Sequence, residues 1–253
     1  MRHKTEISIL IVTHNHDKFI KKLLDSLDLF DYDNVYICDA NSSDHTLSII
    51  QESRYSKNLI IKKNLEGFSK NNNDLIKHFK LNTKYFLLLN PDIYFQEDFI
   101  LKLFNKMEED DSIGITTPLL LYPNGAIQAS WKKFPNFIYV IKKRVGLIKS
   151  NEEKQMQTEF IDWCLGACML IRSKYFLKNQ KILDERYRLY CEDIDICFQA
   201  KFNNHKVIGV LDAKAYHYLN EKSSKVLSKY NYWNISSIFK FIFKWNFHYF
   251  LKK

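Results

Sequence analysis

A turn after an apolar run carries the first candidate for metal chemistry. The run Phe86–Leu89 ends at Asn90, Pro91 and Asp92. Asparagine and proline are common in turns, so a plain type I turn is one interpretation. The proline ring also fixes the backbone, and Asp92 would then be held rigidly at the end of a strand. A carboxylate in that position is a suitable ligand for Mg²⁺ or Mn²⁺ bridging a diphosphate.

A second group of carboxylates, Glu192, Asp193 and Asp195, begins a predicted helix over 191–202. Acidic side chains interact favourably with the helix dipole there, which accounts for one or two of them. The residues that lead into them are largely aromatic or apolar. A carboxyl group in such surroundings can have a raised pKa and serve as a general base. The residues alone leave both interpretations open.

A histidine, His217, lies between Tyr216 and Tyr218, after a predicted strand over 206–211. A single histidine is more often structural than a ligand. Together with one carboxylate, however, it suits a divalent metal site that stays partly open for phosphate oxygens. His217 is therefore a candidate metal ligand.

The elements that would position these residues alternate regularly in the first half of the chain. Strand-like runs cover 6–13, 34–40, 58–63, 84–89 and 113–118, with helical patterns between them. Asp17 is placed to cap the first helix. This alternation predicts an α/β protein with a mostly parallel, Rossmann-like sheet flanked by helices.

Polar clusters follow three of the predicted strands. Thr13 and Asn15 follow the first, Asp39 the second, and Asn90 and Asp92 the fourth. Ligands of parallel sheets bind at the carboxyl ends of the strands. Three clusters at equivalent ends therefore predict a binding site at this edge.

The second half of the chain is less regular. Turn residues around Pro123 predict a hairpin or crossover, and 162–176 predicts a strand that leads into a helix. The basic, polar segment 136–158 is predicted as a loop or helix, and basic residues of 132–144 are candidates to assist at a diphosphate.

Composition excludes several classes of protein. Six glycines and four prolines among 253 residues leave little room for a linker, so one large domain is expected. The net charge of +9 fits nucleic acid, an anionic membrane surface, phosphorylated ligands or simply a well-solvated basic surface, and no nucleic-acid-binding signature occurs. Five cysteines, with no hydrophobic leader before the first strand, predict reduced thiols in a cytoplasmic protein.

The motifs SILIVTHN, CDANSSDHT, GFSKNNN, LLLNPD, GACMLIRSKYF, LDERYRLYCEDIDICFQAKFNNHKV and AYHY occur in this order over roughly residues 6–218. Their combination resembles the family 2 glycosyltransferases of the GT-A fold, within them the rhamnosyltransferase-like branch. The resemblance implies an inverting, metal-dependent enzyme with Mg²⁺ or Mn²⁺. Its donor would be a dTDP- or UDP-linked sugar, with dTDP-rhamnose favoured, and its acceptor a growing bacterial cell-surface polysaccharide or lipid-linked glycan.

The resemblance also implies a role for each residue that matches a family motif. Asp92 and His217 would bind the metal ion, and Asp193 would be the catalytic base. Residues implied to bind the nucleotide are Thr13, Asn15, Asp39, Asn72, Asn73, Asn90 and Glu192. Residues implied to shape the sugar and acceptor pocket are Trp163, Gly166 and Ala167.

Three positions depart from the family pattern. Ala40 stands where many relatives have asparagine, Asn64 is one residue further from the next glycine than usual, and Tyr218 replaces a second histidine. These departures affect details of donor choice and leave the base and metal positions intact.

The C-terminal tail, residues 228–253, follows a catalytic domain predicted over 1–227. That domain would have a nucleotide-binding half over about 1–118 and an acceptor-binding half over about 119–227.

The tail is rich in aromatics and lysines, and its uncharged stretches are far shorter than the ~20 residues that span a bilayer. Either a helix packed on the domain or an interfacial helix on anionic lipid is consistent with it. Helical spacing places one set of residues on a common face: Ile235, Ile238, Phe239, Ile242, Trp245 and Tyr249. It excludes Phe241, Phe243 and Phe247 from that face.

Two other functions remain open from the sequence. A sugar-nucleotide nucleotidyltransferase would have a glycine-rich loop after the first strand, and THNHDKF contains no glycine. A non-catalytic sugar-nucleotide or glycan-binding protein is opposed, but not excluded, by the presence of Asp92, Asp193 and His217 together.

Overall fold

An eight-stranded sheet forms the centre of the protein. The structure, a computed structural model, describes residues 2–134, 159–219 and 229–245. The first strands and helices of the fold are α1 (Arg2–Glu6), β1 (Ile7–Thr13), α2 (Asp17–Leu29), β2 (Val35–Asp39), α3 (Thr46–Gln51), β3 (Leu59–Ile61), α4 (Phe68–His78) and β4 (Tyr85–Leu89). They are followed by β5 (Ile93–Tyr94), α5 (Phe99–Glu109), β6 (Ile113–Leu121), β7 (Trp131–Lys132), β8 (Trp163–Cys164), β9 (Cys168–Arg172), α6 (Ser173–Phe176), α7 (Glu192–Phe202), β10 (Lys206–His217) and α8 (Lys229–Lys244).

The strand order of the large sheet is β3-β2-β1-β4-β9-β6-β10-β5. β1 is parallel to β2 and β4, β2 to β3, and β6 to β10. β9 runs antiparallel between β4 and β6, and β5 runs antiparallel to the end of β10. The predicted α/β class with a mostly parallel sheet is confirmed.

Burial on both faces explains why the central strands read as continuous apolar runs. All five residues of β4 are buried, as are six of the seven in β1. Helices cover the sheet with one apolar stripe each, as in α2, where Ile20, Leu23, Leu24 and Leu27 are buried. Their spacing of three and four residues is the one expected for a helix that packs on a sheet.

Two local predictions differ from the structure, and a third, the turn, is borne out. Asp17 does not cap α2; the cap residue is His16, and the backbone N–H of Asp17 donates to Asp44 Oδ2 at 3.2 Å. The late strand does not stop at 211, because β10 continues through a register shift between Val210 and Lys214 to include His217. The turn at 123–125 does form a hairpin, with Tyr122 N–H donating to Ala126 O at 2.8 Å.

A buried tryptophan joins the small β7–β8 ribbon to the large sheet. The Trp131 indole is fully buried, and its Nε1 donates to the Pro118 carbonyl at 3.0 Å. It lies flat against Gly209 of β10, where an added Cβ would be only 2.6 Å from the ring. Only glycine leaves room for the ring at this place.

The C-terminal helix α8 packs on the domain. Ile238 and Phe241 are buried, whereas Phe239 is 47% exposed and Phe243 is 76% exposed. The predicted face was therefore wrong for Phe239 and Phe241, because the buried stripe runs through Phe241. Tyr249, Phe247 and segment 136–158 lie outside the described residues. No helix in the described ranges is both long and apolar enough to cross a membrane.

All five cysteines are free and buried, in agreement with the expectation of reduced thiols. Burial raises the pKa of Cys38 to about 12. Such thiols are poor nucleophiles at neutral pH. The carboxylates and histidines are therefore the better candidates for catalytic groups.

Candidate active site

A cavity of about 420 Å³ opens at the carboxyl ends of β1 and β4. Its position agrees with the edge predicted from the strand-end clusters. The predicted site residues that line it are Thr13, Asn90, Asp92, Gly166, Ala167, Glu192, Asp193 and His217. The structure thus brings residues from both halves of the chain into one cavity.

The Asn90–Asp92 turn and the end of β10 bring a carboxylate and an imidazole together. Ile93 of β5 lies opposite His217 in the antiparallel ladder, and Tyr218 N–H donates to the Asp92 carbonyl at 3.1 Å. As a result, His217 Nε2 lies 3.3 Å from Asp92 Oδ1, and both side chains are buried. The turn therefore does hold its carboxylate against a second candidate ligand.

A glutamine orients the imidazole from behind. Gln128 Oε1 lies 2.7 Å from His217 Nδ1. Since an amide oxygen only accepts, Nδ1 carries a hydrogen, and Nε2 is the ring nitrogen left to bind a metal ion. This is the tautomer that a metal-binding histidine needs, with its second nitrogen held by a neighbour.

The residues fit a hard divalent cation whose coordination the substrate completes. Among the described residues no group of three or more His, Cys, Asp or Glu side chains could hold a metal ion. Mg²⁺ and related cations are commonly bound by one or two protein groups together with substrate phosphates and water. Asp92 and His217 meet that requirement and would not meet that of a closed structural zinc site.

Asp193 lies in the first turn of α7, on another wall of the cavity. Its Oδ2 accepts from Gly166 N–H at 3.1 Å and its Oδ1 from Ile194 N–H at 2.8 Å. Burial raises the pKa of Asp193, while these two hydrogen bonds and the charge of Lys132 partly oppose the rise. A half-buried carboxylate with a raised pKa and a fixed orientation can act as a general base.

Two strained residues set the start of α7. Tyr190 and Cys191 both have φ of 69°, in the left-handed region that side chains other than glycine rarely adopt. The chain turns sharply there, and Tyr190, Glu192 and Asp193 all line the cavity. Backbone strain of this kind is retained where the surrounding structure demands it, often at functional sites.

The other two acids of this motif have different surroundings. Glu192 is 8% exposed, and its Oε2 has no hydrogen-bond partner among the described residues. Burial raises the pKa of Glu192 well above its usual value, and the charges of Asp193 and Asp195 add to the effect. Asp195 instead accepts from Tyr187 Oη at 3.1 Å and from groups of α8.

The predicted base and ribose residues make hydrogen bonds within the strand ends and loops after β1 and β2. Asp39 accepts from the Thr13 hydroxyl at 2.9 Å and from the Ser42 backbone N–H at 3.0 Å. Asn15 Oδ1 accepts from Ser43 N–H at 2.8 Å. Only Thr13 of these three predicted residues lines the cavity, and the others fix the loops after β1 and β2.

Three further predicted residues also make hydrogen bonds within the fold. Asn73 Nδ2 donates to the Leu183 carbonyl at 2.8 Å and its Oδ1 accepts from Ile182 N–H at 3.0 Å, so its amide joins α4 to a neighbouring loop. Asn72 donates to the carbonyl of Phe68 in its own helix. Trp163 Nε1 donates to the carbonyl of Lys133, the residue after β7, at 2.8 Å. None of the three lines the cavity, and their implied roles stay predictions.

Several cavity residues were missed by the sequence predictions. The principal ones are His14, His16, Asn71, Arg188, Tyr190 and Trp233. His14 and His16 alternate with Thr13 and Asn15, so the strand-end rule itself could have found them. No pattern in the sequence predicts Trp233 at the cavity, because its position depends on how α8 packs on the domain.

Comparison with known proteins agrees with this geometry. The family model for Glycosyl transferase family 2 matches residues 8–178. Rhamnosyltransferase WbbL of Escherichia coli (strain K12) is 30% identical over 247 residues, which are 93% of this chain and 92% of that protein.

Solved structures show the same fold at low sequence identity. GalNAc-T7 with UDP, GalNAc and Mn²⁺ aligns with a TM-score of 0.66 and 14% identity, covering 94% of this chain and 47% of that one. The mannosyltransferase PcManGT from Pyrobaculum calidifontis, with GDP-Man and Mn²⁺, aligns with a TM-score of 0.59 and 14% identity, covering 86% and 58%. The chain thus spans about half the length of these two structures. Since the family model matches more than half of the chain, the protein belongs to glycosyl transferase family 2 and is a glycosyltransferase of the GT-A fold.

Proposed function

We propose that this glycosyltransferase transfers rhamnose from dTDP-rhamnose, with inversion, to a hydroxyl of a growing cell-surface polysaccharide or lipid-linked glycan. The observation that supports it most is the single cavity that contains the Asp92–His217 pair and, on a separate wall, Asp193. The name of the E. coli relative, a rhamnosyltransferase, supports the choice of sugar.

In this proposal Asp193 accepts the proton of the acceptor hydroxyl as that oxygen attacks the anomeric carbon. The N–H groups of Gly166 and Ile194 hold the carboxylate in one orientation before the acceptor arrives. Gly166 also leaves space beside the base, since an added Cβ would lie 3.3 Å from Asp193 Cβ.

Asp92 and His217 are the residues that would hold Mg²⁺ or Mn²⁺, through Oδ1 and Nε2. When bound, such a cation offsets the negative charge that the departing diphosphate gains. The structures of GalNAc-T7 and PcManGT, both with Mn²⁺, support a divalent cation in this fold. Gln128 keeps His217 in the tautomer that binding requires.

The donor is proposed to contact the cavity residues Thr13, Asn90, Ala167 and Glu192. Asn15, Asp39, Asn72, Asn73 and Trp163 would act on the donor through the loops and helices that they fix. The division of the chain at residues 118 and 227 stays a prediction.

A screen of nucleotide sugars tests the function directly. Thermal shift and hydrolysis would be measured with dTDP-rhamnose, UDP-GlcNAc and GDP-mannose, each with Mn²⁺, with Mg²⁺ and with EDTA. We expect a metal-dependent response that is largest for dTDP-rhamnose and is lost in Asp92→Ala. Binding without any hydrolysis or transfer would favour a non-catalytic sugar-nucleotide-binding protein instead.

The cytoplasmic face of the membrane is the proposed location. Phe239 and Phe243 are exposed on α8 beside the basic side chain of Lys240, as on helices that lie at an anionic lipid surface. Flotation with phosphatidylglycerol vesicles would compare the wild type with the double variant Phe239→Ser/Phe243→Ser. The control is Leu29→Ser, which removes a 66% exposed leucine on α2. Equal flotation of the double variant and the wild type would contradict membrane contact through α8.

A further inference from the structure

The C-terminal helix forms part of the cavity wall through one aromatic residue. Trp233 of α8 lines the cavity, although it lies 40 residues beyond Asp193 in the chain. The helix is fixed there by Ser237 Oγ, which donates to the Leu189 carbonyl at 3.0 Å, and by the buried side chain of Phe241. Trp233 is therefore held at the cavity by the packing of the whole helix.

A guanidinium group connects Trp233 to the loop between β3 and α4. Arg188 Cζ lies 4.4 Å from the centroid of the Trp233 ring, and Arg188 Nη2 donates to the Leu65 carbonyl at 2.8 Å. The Arg188 carbonyl accepts from Phe68 N–H at 2.9 Å. Gly67 is pressed against the same residue, since an added Cβ would lie 2.6 Å from the Arg188 carbonyl oxygen.

The first turn of α4, beside this pair, carries a buried hydrogen-bond acceptor on a residue that lines the same cavity. Asn71 is 1% exposed and lines the cavity, and its Oδ1 accepts from no described residue. Its backbone N–H donates to the Gly67 carbonyl at 3.0 Å, so Asn71 and Arg188 flank the same glycine. A buried acceptor without a partner is costly, and a ligand that donates an N–H group would satisfy it.

We propose that Arg188 and Trp233 form a stacking wall for the nucleobase of the donor, with Asn71 Oδ1 accepting from the imide N–H of that base. This inference rests on the proposed function. A planar base satisfies both features at once: its face stacks on an aromatic or guanidinium plane, and its edge carries the N–H that Asn71 lacks. An acceptor sugar can lay a C–H face on Trp233, but it has neither an imide N–H for Asn71 nor a π face for the Arg188 guanidinium. The structure thereby makes α8 a part of the nucleotide site.

Calorimetric titration of the full chain with UDP, dTDP and GDP, each with Mn²⁺, tests the assignment without an acceptor. Removal of a base-stacking aromatic costs about 5- to 100-fold in affinity, so Trp233→Ala should lose that much for the nucleotide that binds best. Trp233→Phe keeps a ring and should lose less. The matched control is Tyr232→Ala, which removes the adjacent, 71% exposed aromatic of the same helix and should bind as the wild type does.

The outcomes separate this inference from the proposed function. Wild-type nucleotide affinity in Trp233→Ala overturns the stacking wall. Equal losses in Trp233→Ala and Tyr232→Ala would also overturn it, because the effect would then belong to the helix as a whole. If the wild type binds none of the three nucleotides, the proposed function fails together with this inference.

Discussion

Lys244 Nζ lies 2.5 Å from Asp195 Oδ2 and so joins the C-terminal helix to the acidic motif of the active site. The Asp195 side chain is 4% exposed and that of Lys244 is 17% exposed. Trp245 Nε1 donates to the other oxygen of the same carboxylate at 2.9 Å. Two residues of one motif thus have separate tasks: Asp193 faces the cavity, and Asp195 holds the helix that closes it.

Removal of the Lys244 ammonium should destabilise the protein. Lys244→Ala leaves a buried Asp195 carboxylate without its cation, and breaking such a pair costs about 3 kcal/mol in free energy of unfolding. Urea titration followed by circular dichroism would measure it. The control is Lys21→Ala, whose exposed pair with Asp25 should contribute less than about 1 kcal/mol. Equal losses in the two variants would show that the Asp195 contact does not hold the helix.

Neutralising the candidate base should stop transfer without preventing donor binding. Asp193→Asn keeps the shape of the side chain but cannot accept the hydroxyl proton, so the turnover rate should fall by about 100-fold or more. Donor affinity, measured by calorimetry with Mn²⁺, should stay at the wild-type value. Asp212→Asn on the exposed part of β10 serves as the control for loss of a carboxylate. Near-wild-type turnover in Asp193→Asn would refute its assignment as the base.

The hydrogen-bond partner of His217 offers a test that leaves both candidate metal ligands in place. Gln128→Leu removes the oxygen that lies 2.7 Å from His217 Nδ1, so that the tautomer and ring orientation are no longer fixed. Loss of such a partner typically lowers metal affinity by about 10- to 100-fold. Titration of Mn²⁺ in the presence of dTDP or UDP would measure this change. Gln51→Leu, on the exposed surface of α3, should bind Mn²⁺ as the wild type does, and an equal affinity in Gln128→Leu would contradict the role of Gln128.

A buried glutamate predicts a pH dependence of stability. Because burial raises the pKa of Glu192 in the folded protein, the folded state binds this proton more tightly than the unfolded state does. The stability contributed by Glu192 is complete below its unfolded pKa of about 4.3 and is lost as the pH rises through the folded pKa. Glu192→Gln removes that loss, so its melting temperature relative to the wild type should increase from pH 5 to pH 8.

The control for this pH dependence is Glu52→Gln, which alters an exposed glutamate. Its melting temperature relative to the wild type should stay constant over the same range. A constant difference for Glu192→Gln as well would show that Glu192 ionises in the folded protein as it does in the unfolded chain.

The sheet was predictable from the sequence because its signals are local. Apolar runs of five to seven residues predict β1 and β4 directly, and Asn90 and Pro91 predict the turn after β4. The proximity of Asp92 and His217 came from the family resemblance. Its physical cause, the pairing of β5 with the end of β10, joins residues more than 120 positions apart.

The parts that could not be predicted depend on contacts between distant segments. Helical spacing in the tail could not show that Phe241, rather than Phe239, packs on the domain, since both are phenylalanine and lie on nearly opposite sides of one helix. The strand-end rule found Asp39 but could not show that Thr13 and Ser42 occupy its oxygens. Trp233 reaches the cavity only because α8 docks on α7.

The burial of Trp131 has a consequence for spectroscopy. Its indole is shielded from water against Gly209, so its fluorescence should lie at short wavelength and move to the red only when the sheet opens. Trp233, one of the four tryptophans, is partly exposed at the cavity and should respond to whatever enters it. Replacing Trp163 and Trp245 by phenylalanine would leave these two emitters, and one spectrum would then report unfolding and occupancy separately.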